Sequence, residues 1–244
     1  MKEVASGVWR CTNGVSNWYI VEDGGRLTLV DAGKPSGWQQ LIDGLQQAGR
    51  NPASVECVLL THAHSDHTGF AERARAALNA RAHIHGDDLA VARGGKPPKT
   101  DGGFLKYLVH VEAYRTLFGL MRGGGMRIEP LAEAATFQDG EVLDVPGHPR
   151  AVHLPGHTAG SAAFVFEDRS IVCTGDALVT RNVMTGRVGP QVMPAALNQS
   201  TDQALRSLSH LESAASETVL PGHGEPWRQG LTAAIHAARR AGKS

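Results

Sequence analysis

The sequence predicts an α/β (α+β) fold in which two β-sheets pack face to face with helices on the outside. Three observations carry this expectation. Strand-like apolar runs alternate with segments of helical period, and the order strands-then-helices occurs twice. Several runs, such as "VECVLLTH", are almost continuously apolar, as in strands buried on both faces. No Pro-, Gly- or Ser-rich linker divides the 244 residues, a length sufficient for one substantial core. Residues 1–244 are therefore read as one domain.

In chain order, "GVWRC", "SNWYIVED" and "RLTLVDAG" read as short strands, with Gly24-Gly25 as a hairpin turn. Trp38, Leu41, Ile42 and Leu45 recur at helical spacing and predict a helix over 36–48. The strand "VECVLLTH" follows, then an Ala-rich helical segment, "TGFAERARAALNA", and the strand "ARAHIHG". Residues 94–126 differ in character. "FLKYLVHVEAYRTLFGLM" predicts an amphipathic helix between two Gly-rich breaks, an inserted lid-like segment. Beyond it "EVLDVPG", "RAVHLPG", "SAAFVFED" and "SIVCTGDA" predict strands, "NQSTDQALRSLSHLES" a helix, "ETVLPGHG" a last strand, and the tail from Gln229 a closing helix.

Bulk properties narrow the function. Net charge is zero, with 24 basic and 24 acidic side chains, which argues against nucleic acid as a partner. No run approaches the ~20 apolar residues of a membrane span, and the N-terminus lacks an apolar leader. Three dispersed cysteines do not form a disulfide framework. The expectation is a cytoplasmic protein, monomer or homodimer, with a small-molecule substrate and no membrane or nucleic-acid partner.

The chemistry concentrates in "THAHSDH", where His62, His64, Asp66 and His67 directly follow an apolar strand. Imidazole nitrogen and carboxylate oxygen suit divalent transition metals. Residues two apart share a face of extended backbone, so His62 and His64 suit one ion, while Asp66 and His67 suit a second. Further ligands are expected at later strand ends: His157 in "LPGHTAGS", Asp176 in "TGDA" and His223 in "LPGHG". Closed structural zinc sites favour cysteine, and no cysteine falls in these motifs. The pair "HIH" at 83–85 has ligand-like spacing but no carboxylate within it, and is read as core or pocket edge.

Together these motifs, in this order, resemble the metallo-β-lactamase superfamily over nearly the whole chain. The resemblance implies a four-layer αβ/βα sandwich. It implies two divalent ions, zinc foremost, with iron or manganese as alternatives. His62, His64 and His157 would hold one ion, Asp66, His67 and His223 the other, with Asp176 bridging and Asp31 of "LVDAG" orienting the histidines. Two ions ~3.5–4 Å apart share a hydroxide that attacks at neutral pH, and Asp66 is the group placed to relay its proton.

Within this superfamily the β-lactamases generally replace the bridging aspartate, so Asp176 argues against that activity. Only 21 residues follow His223, which argues against a glutathione thioester hydrolase with a helical C-terminal domain. The layout is most similar to acylhomoserine lactonases and related small esterases, although the tyrosine that those lactonases place after the bridging aspartate is absent. The function expected is binuclear hydrolysis of a small ester, lactone or thioester. Phe104, Leu105, Leu108, Phe118 and Met121 of the inserted segment are the candidate substrate wall. Two alternatives come from other classes. One is a persulfide dioxygenase using a single iron, and the other is an inactive binding protein on the same scaffold.

Overall fold

The computed structural model describes residues 1–126 and 129–243. Strands β1 (Lys2–Ala5), β2 (Val8–Thr12), β3 (Asn17–Asp23) and β4 (Arg26–Val30) form an antiparallel meander. Helix α1 (Gly37–Gln47) crosses to β5 (Val55–Leu59), which pairs parallel to β4. After α2 (Ser65–Thr68) and α3 (Ala71–Leu78), β6 (Arg81–His85) joins in parallel. Helices α4 (Gly86–Ala92) and α5 (Val111–Arg122) then precede β7 (Ala135–Phe137), and the sheet runs β1 to β7 in order.

The second sheet begins with β8 (Arg150–His153), β9 (Ala162–Phe166) and β10 (Ile171–Gly175), all antiparallel neighbours. A two-stranded ribbon, β11 (Val179–Arg181) and β12 (Val188–Gln191), and helix α6 (Thr201–Ser207) intervene. Strand β13 (Thr218–Pro221) pairs parallel to β10, giving the order β13-β10-β9-β8, and α7 (Leu231–Ala241) follows.

Side-chain alternation explains why the strands are apolar throughout. In β3, Trp18 and Ile20 face a core shared with Leu41 and Leu45 of α1 and Ala71 and Ala74 of α3. Tyr19 and Val21 face the opposite way, into a core shared with Phe164, Phe166 and Cys173 of the second sheet. In β9 and β10, Val165 and Val172 turn outward to meet Ala204 of α6 and Ile235 of α7. Three apolar cores thus separate four layers, helix–sheet–sheet–helix, as the sequence predicted.

Several segments differ from expectation. The run 104–121 is not one helix: a 3₁₀ turn at Leu105–Tyr107 precedes α5, and the break lets Tyr107 bury itself against Ala113, Val179 and Met193. The predicted strand "EVLDVPG" makes only a single bridge, Val142 to Arg150. Helix α4 was not predicted, because its seven residues, GDDLAVA, are too few to show a period. Strands β1, β7, β11 and β12 also escaped prediction: β7 has only three residues, and the others are short and carry charged residues, Gly or Pro.

Candidate metal centre

Every predicted ligand sits just past the end of a strand, on the short helix α2 that follows β5, or on a loop joining two strands. Strand β4 stops at Val30, and Asp31 takes a left-handed conformation (φ 63°) that turns its carboxylate across the strand ends. There Oδ1 accepts the Thr61 amide at 2.8 Å, and Oδ2 lies 2.8 Å from His67 Nδ1. From the second sheet, the β8–β9 loop supplies His157, the end of β10 supplies Asp176, and the turn after β13 supplies His223. Asn17 Nδ2 and the Tyr19 hydroxyl both donate to the Pro221 carbonyl, at 3.0 and 2.7 Å, pinning that turn to the first sheet.

Four imidazoles are oriented through Nδ1. His62 Nδ1 meets Thr61 Oγ1 at 2.9 Å, and His67 Nδ1 donates to Asp31. His157 Nδ1 donates to Asn198 Oδ1 at 3.1 Å, and His223 Nδ1 to the Val15 carbonyl at 2.7 Å. A proton fixed on Nδ1 leaves the Nε2 lone pair of each neutral ring for a ligand-type contact. His64 is the exception: its Nδ1 faces His157 Nε2 at 2.9 Å.

The donor atoms form two groups, His62, His64, His157 and Asp176 in one, and Asp66, His67 and His223 in the other. Asp176 spans them. Its Oδ2 lies 3.4 Å from His157 Nε2 and 3.1 Å from His223 Nε2, and its Oδ1 lies 3.4 Å from His67 Nε2. The set fits divalent transition ions by donor type, and two buried atoms, His62 Nε2 and Asp176 Oδ1, have no hydrogen-bond partner. Gly222 is required for this closeness, since a Cβ there would collide with Asp176 Oδ1 and crowd the His67 ring.

Electrostatics divide the groups. Burial lowers the pKa of His62, His64 and His157, bringing His157 to about 3. At His67 burial acts the same way but is outweighed by the carboxylates of Asp176, Asp66 and Asp31, which raise it to about 10. His223 is raised too, burial being outweighed by Asp176. Asp176 is held well below the usual carboxylate range, because the charges of His223 and His67 outweigh its burial. The second group is a region of negative potential where a metal cation would replace protons.

Above the donors lies a cavity of about 490 Å³. His64, Asp66, His157, Asp176 and His223 line its polar side, and Phe104, Leu108, Leu117, Leu120, Met193 and Leu197 form much of the apolar wall. Of the five residues predicted for the substrate wall, Phe104 and Leu108 line it. Leu105, Phe118 and Met121 do not: the break before α5 rotates the helix so that Ala113, Thr116, Leu117 and Leu120 face inward. His83 and His85 are also outside the lining. His83 sits 3.2 Å from Cys57 Sγ, and the His85 ring stacks on His153 at 3.9 Å. His85, Asp87 and His153 cluster, but His85 Nδ1 accepts the Asp87 amide and His153 Nε2 donates to the Ala159 carbonyl, so both nitrogens are engaged.

Sequence reasoning missed Asp88, Asn198 and Thr61. Asp88 is buried and accepts three bonds: the Ala63 amide at 2.8 Å, the Gly160 amide at 2.9 Å and the Thr158 hydroxyl at 2.8 Å. It therefore ties the loop carrying His62 and His64 to the loop carrying His157. The adjacent acidic pair in "GDD" was visible in the sequence, but only the fold brings it between two distant loops.

A family model described as the metallo-beta-lactamase superfamily matches residues 11–223. The chain belongs to the metallo-beta-lactamase superfamily. The superfamily is mostly hydrolytic, and the chain carries the His and Asp donor groups of a candidate metal centre. It is 22% identical to the probable metallo-hydrolase YflN of Bacillus subtilis, over 92% of this chain and 86% of that protein. It is 26% identical to the human acyl-coenzyme A thioesterase MBLAC2, over 77% of this chain and 62% of that protein. Among solved structures, TTHA1623 in a di-iron-bound form superposes with a TM-score of 0.62 at 26% identity, covering 92% of this chain and 96% of that one. Among the described residues, no helix is long and apolar enough to cross a membrane.

Proposed function

We propose that the protein is a binuclear hydrolase, zinc-loaded, that cleaves the acyl bond of a small ester, thioester or lactone. The observation carrying this reading is one carboxylate, Asp176, in reach of histidines from both donor groups at the floor of an apolar cavity. Ions held by His62, His64 and His157, and by Asp66, His67 and His223, would supply Lewis-acid polarisation of a carbonyl and a water acidified toward neutral pH. The chain's own residues do the remaining work. The Nδ1 partners hold the rings still, and Asp176 supplies negative charge to both groups. Asp66 lies 3.6 Å from His223 Nε2 and lines the cavity, where it takes up the proton released on attack and passes it to the leaving group. The wall of Leu117, Leu120 and Leu197 receives the acyl portion and excludes water. The thioesterase relative MBLAC2 supports an acyl substrate.

The test is elemental analysis followed by a panel of acyl esters, acyl thioesters and lactones. About two metals per chain and turnover of at least one acyl class are expected. Asp66→Ala should lower kcat by roughly 10²–10⁴ on that substrate. One iron per chain, with oxygen consumed in the presence of persulfides, refutes the hydrolase reading.

A further inference from the structure

The outer side of α5 is apolar, and no described residue covers it. Val111, Phe118 and Met121 are 65, 62 and 61% exposed, with Tyr114, 54% exposed, lying between them and the cavity that it helps to line. The inner side, Ala113, Thr116, Leu117 and Leu120, lines the cavity. The apolar arc of α5 thus extends past its cavity-facing side into water, flanked by the charged side chains of Glu112, Arg115 and Arg122. The preceding turn adds Leu105 and Val109, 81 and 82% exposed, next in sequence to Phe104 and Leu108, which line the cavity.

Charge identifies what covers it. Within 96–122, Lys96, Lys99, Lys106, Arg115 and Arg122 oppose only Asp101 and Glu112, a net of +3 for the segment on a chain of zero net charge. Glu112 is paired with Arg181 at 2.8 Å, from outside the segment, as well as with Arg115 at 3.6 Å. A second copy docking face to face would bring two such positive surfaces together. An anionic lipid surface satisfies both the charge and the apolar side chains.

We propose that this face docks peripherally on anionic lipid, with α5 lying in the interface and the cavity mouth turned toward the acyl chains. The expectation of no membrane partner rested on the absence of a spanning run, and interfacial docking needs none. The cavity wall would then receive an acyl group directly from the lipid phase.

The test is cosedimentation of the metal-loaded full chain with phosphatidylcholine vesicles, with and without phosphatidylglycerol. Binding is expected only with phosphatidylglycerol and should weaken as salt rises. Leu105→Ser, Val109→Ser and Phe118→Ser should each weaken it about tenfold, and Arg115→Gln and Arg122→Gln about fivefold each. None of these side chains lines the cavity, so turnover of a short water-soluble substrate should be unchanged, and the vesicle result stands whether or not a substrate is found. Absence of binding at low salt, or equal binding to neutral vesicles, overturns the proposal. A dimer in sedimentation that these substitutions dissociate, without vesicle binding, assigns the face to a second copy instead.

Discussion

Replacing Asp88 by Asn keeps the volume of a buried side chain but removes one of its two acceptor oxygens. In the native fold Oδ2 accepts from the Ala63 amide and the Thr158 hydroxyl, while Oδ1 accepts from the Gly160 amide. An amide side chain can turn its oxygen to only one of these sides, so its NH₂ group faces a backbone donor on the other. A hydrogen bond to a charged group contributes about 1.5–3 kcal/mol, and a buried donor left unpaired costs about 1–3 kcal/mol. Asp88→Asn should therefore destabilise the fold by about 2–4 kcal/mol, and Asp88→Ala by more. Ala63 lies between two candidate ligands and Thr158 follows a third, so the loss should also loosen the first donor group. Partners that hold metal ligands typically alter affinity 10–100-fold, and a zinc affinity weakened within that range is expected. Urea unfolding of the metal-free protein reads the first quantity, with the midpoint shifted and the m-value unchanged. Competition with a chromophoric chelator reads the second. An unfolding free energy within ~0.5 kcal/mol of wild type, or unchanged zinc affinity in a destabilised protein, would refute the assignment of Asp88 as the tie between the two loops.

Other perturbations probe the cavity, the donor spacing and the acid response. Ala113→Leu adds three carbons on the cavity side of α5 and should shift acyl preference toward shorter chains by roughly tenfold in kcat/KM, which a chain-length series would measure. Gly222→Ala pushes a methyl against Asp176 and His67 and should cost about 1–3 kcal/mol, together with loss of bound metal by elemental analysis. Burial, with the neighbouring His153, lowers the pKa of His85 in the folded state. Below about pH 6.5, the ordinary histidine value, the unfolded chain then binds more protons at this residue than the folded one, so stability falls as pH falls. His85→Asn removes the titrating ring while keeping an acceptor at the start of α4, and should flatten that acid limb in pH-dependent urea unfolding.

The layer order was readable in the chain, because continuous apolar strands such as β3 and β9 must bury both faces and only a sandwich covered by helices allows it. The seven residues that converge at the strand ends were readable as well. Each stands in a short motif, "HAHSDH", "LPGH" or "TGD", whose residue types have no better use in packing. The supports of those residues were not readable. Asp88, Asn198 and the Val15 carbonyl lie 25, 41 and 208 positions from the groups they hold, and nothing local marks them. The facing of the 104–121 segment was also settled in three dimensions. Its apolar residues span a broad arc, so periodicity admits more than one inward face, and with Tyr107 buried Leu117 and Leu120 point at the site while Phe118 and Met121 stay in the open. Sequence alone determined which donor residues this protein carries and the family it belongs to, since donor types and strand-end motifs are local properties. Tertiary structure decided how that chemistry is held and what reaches it, because hydrogen bonds across distant loops and the rotation of a helix are set by packing.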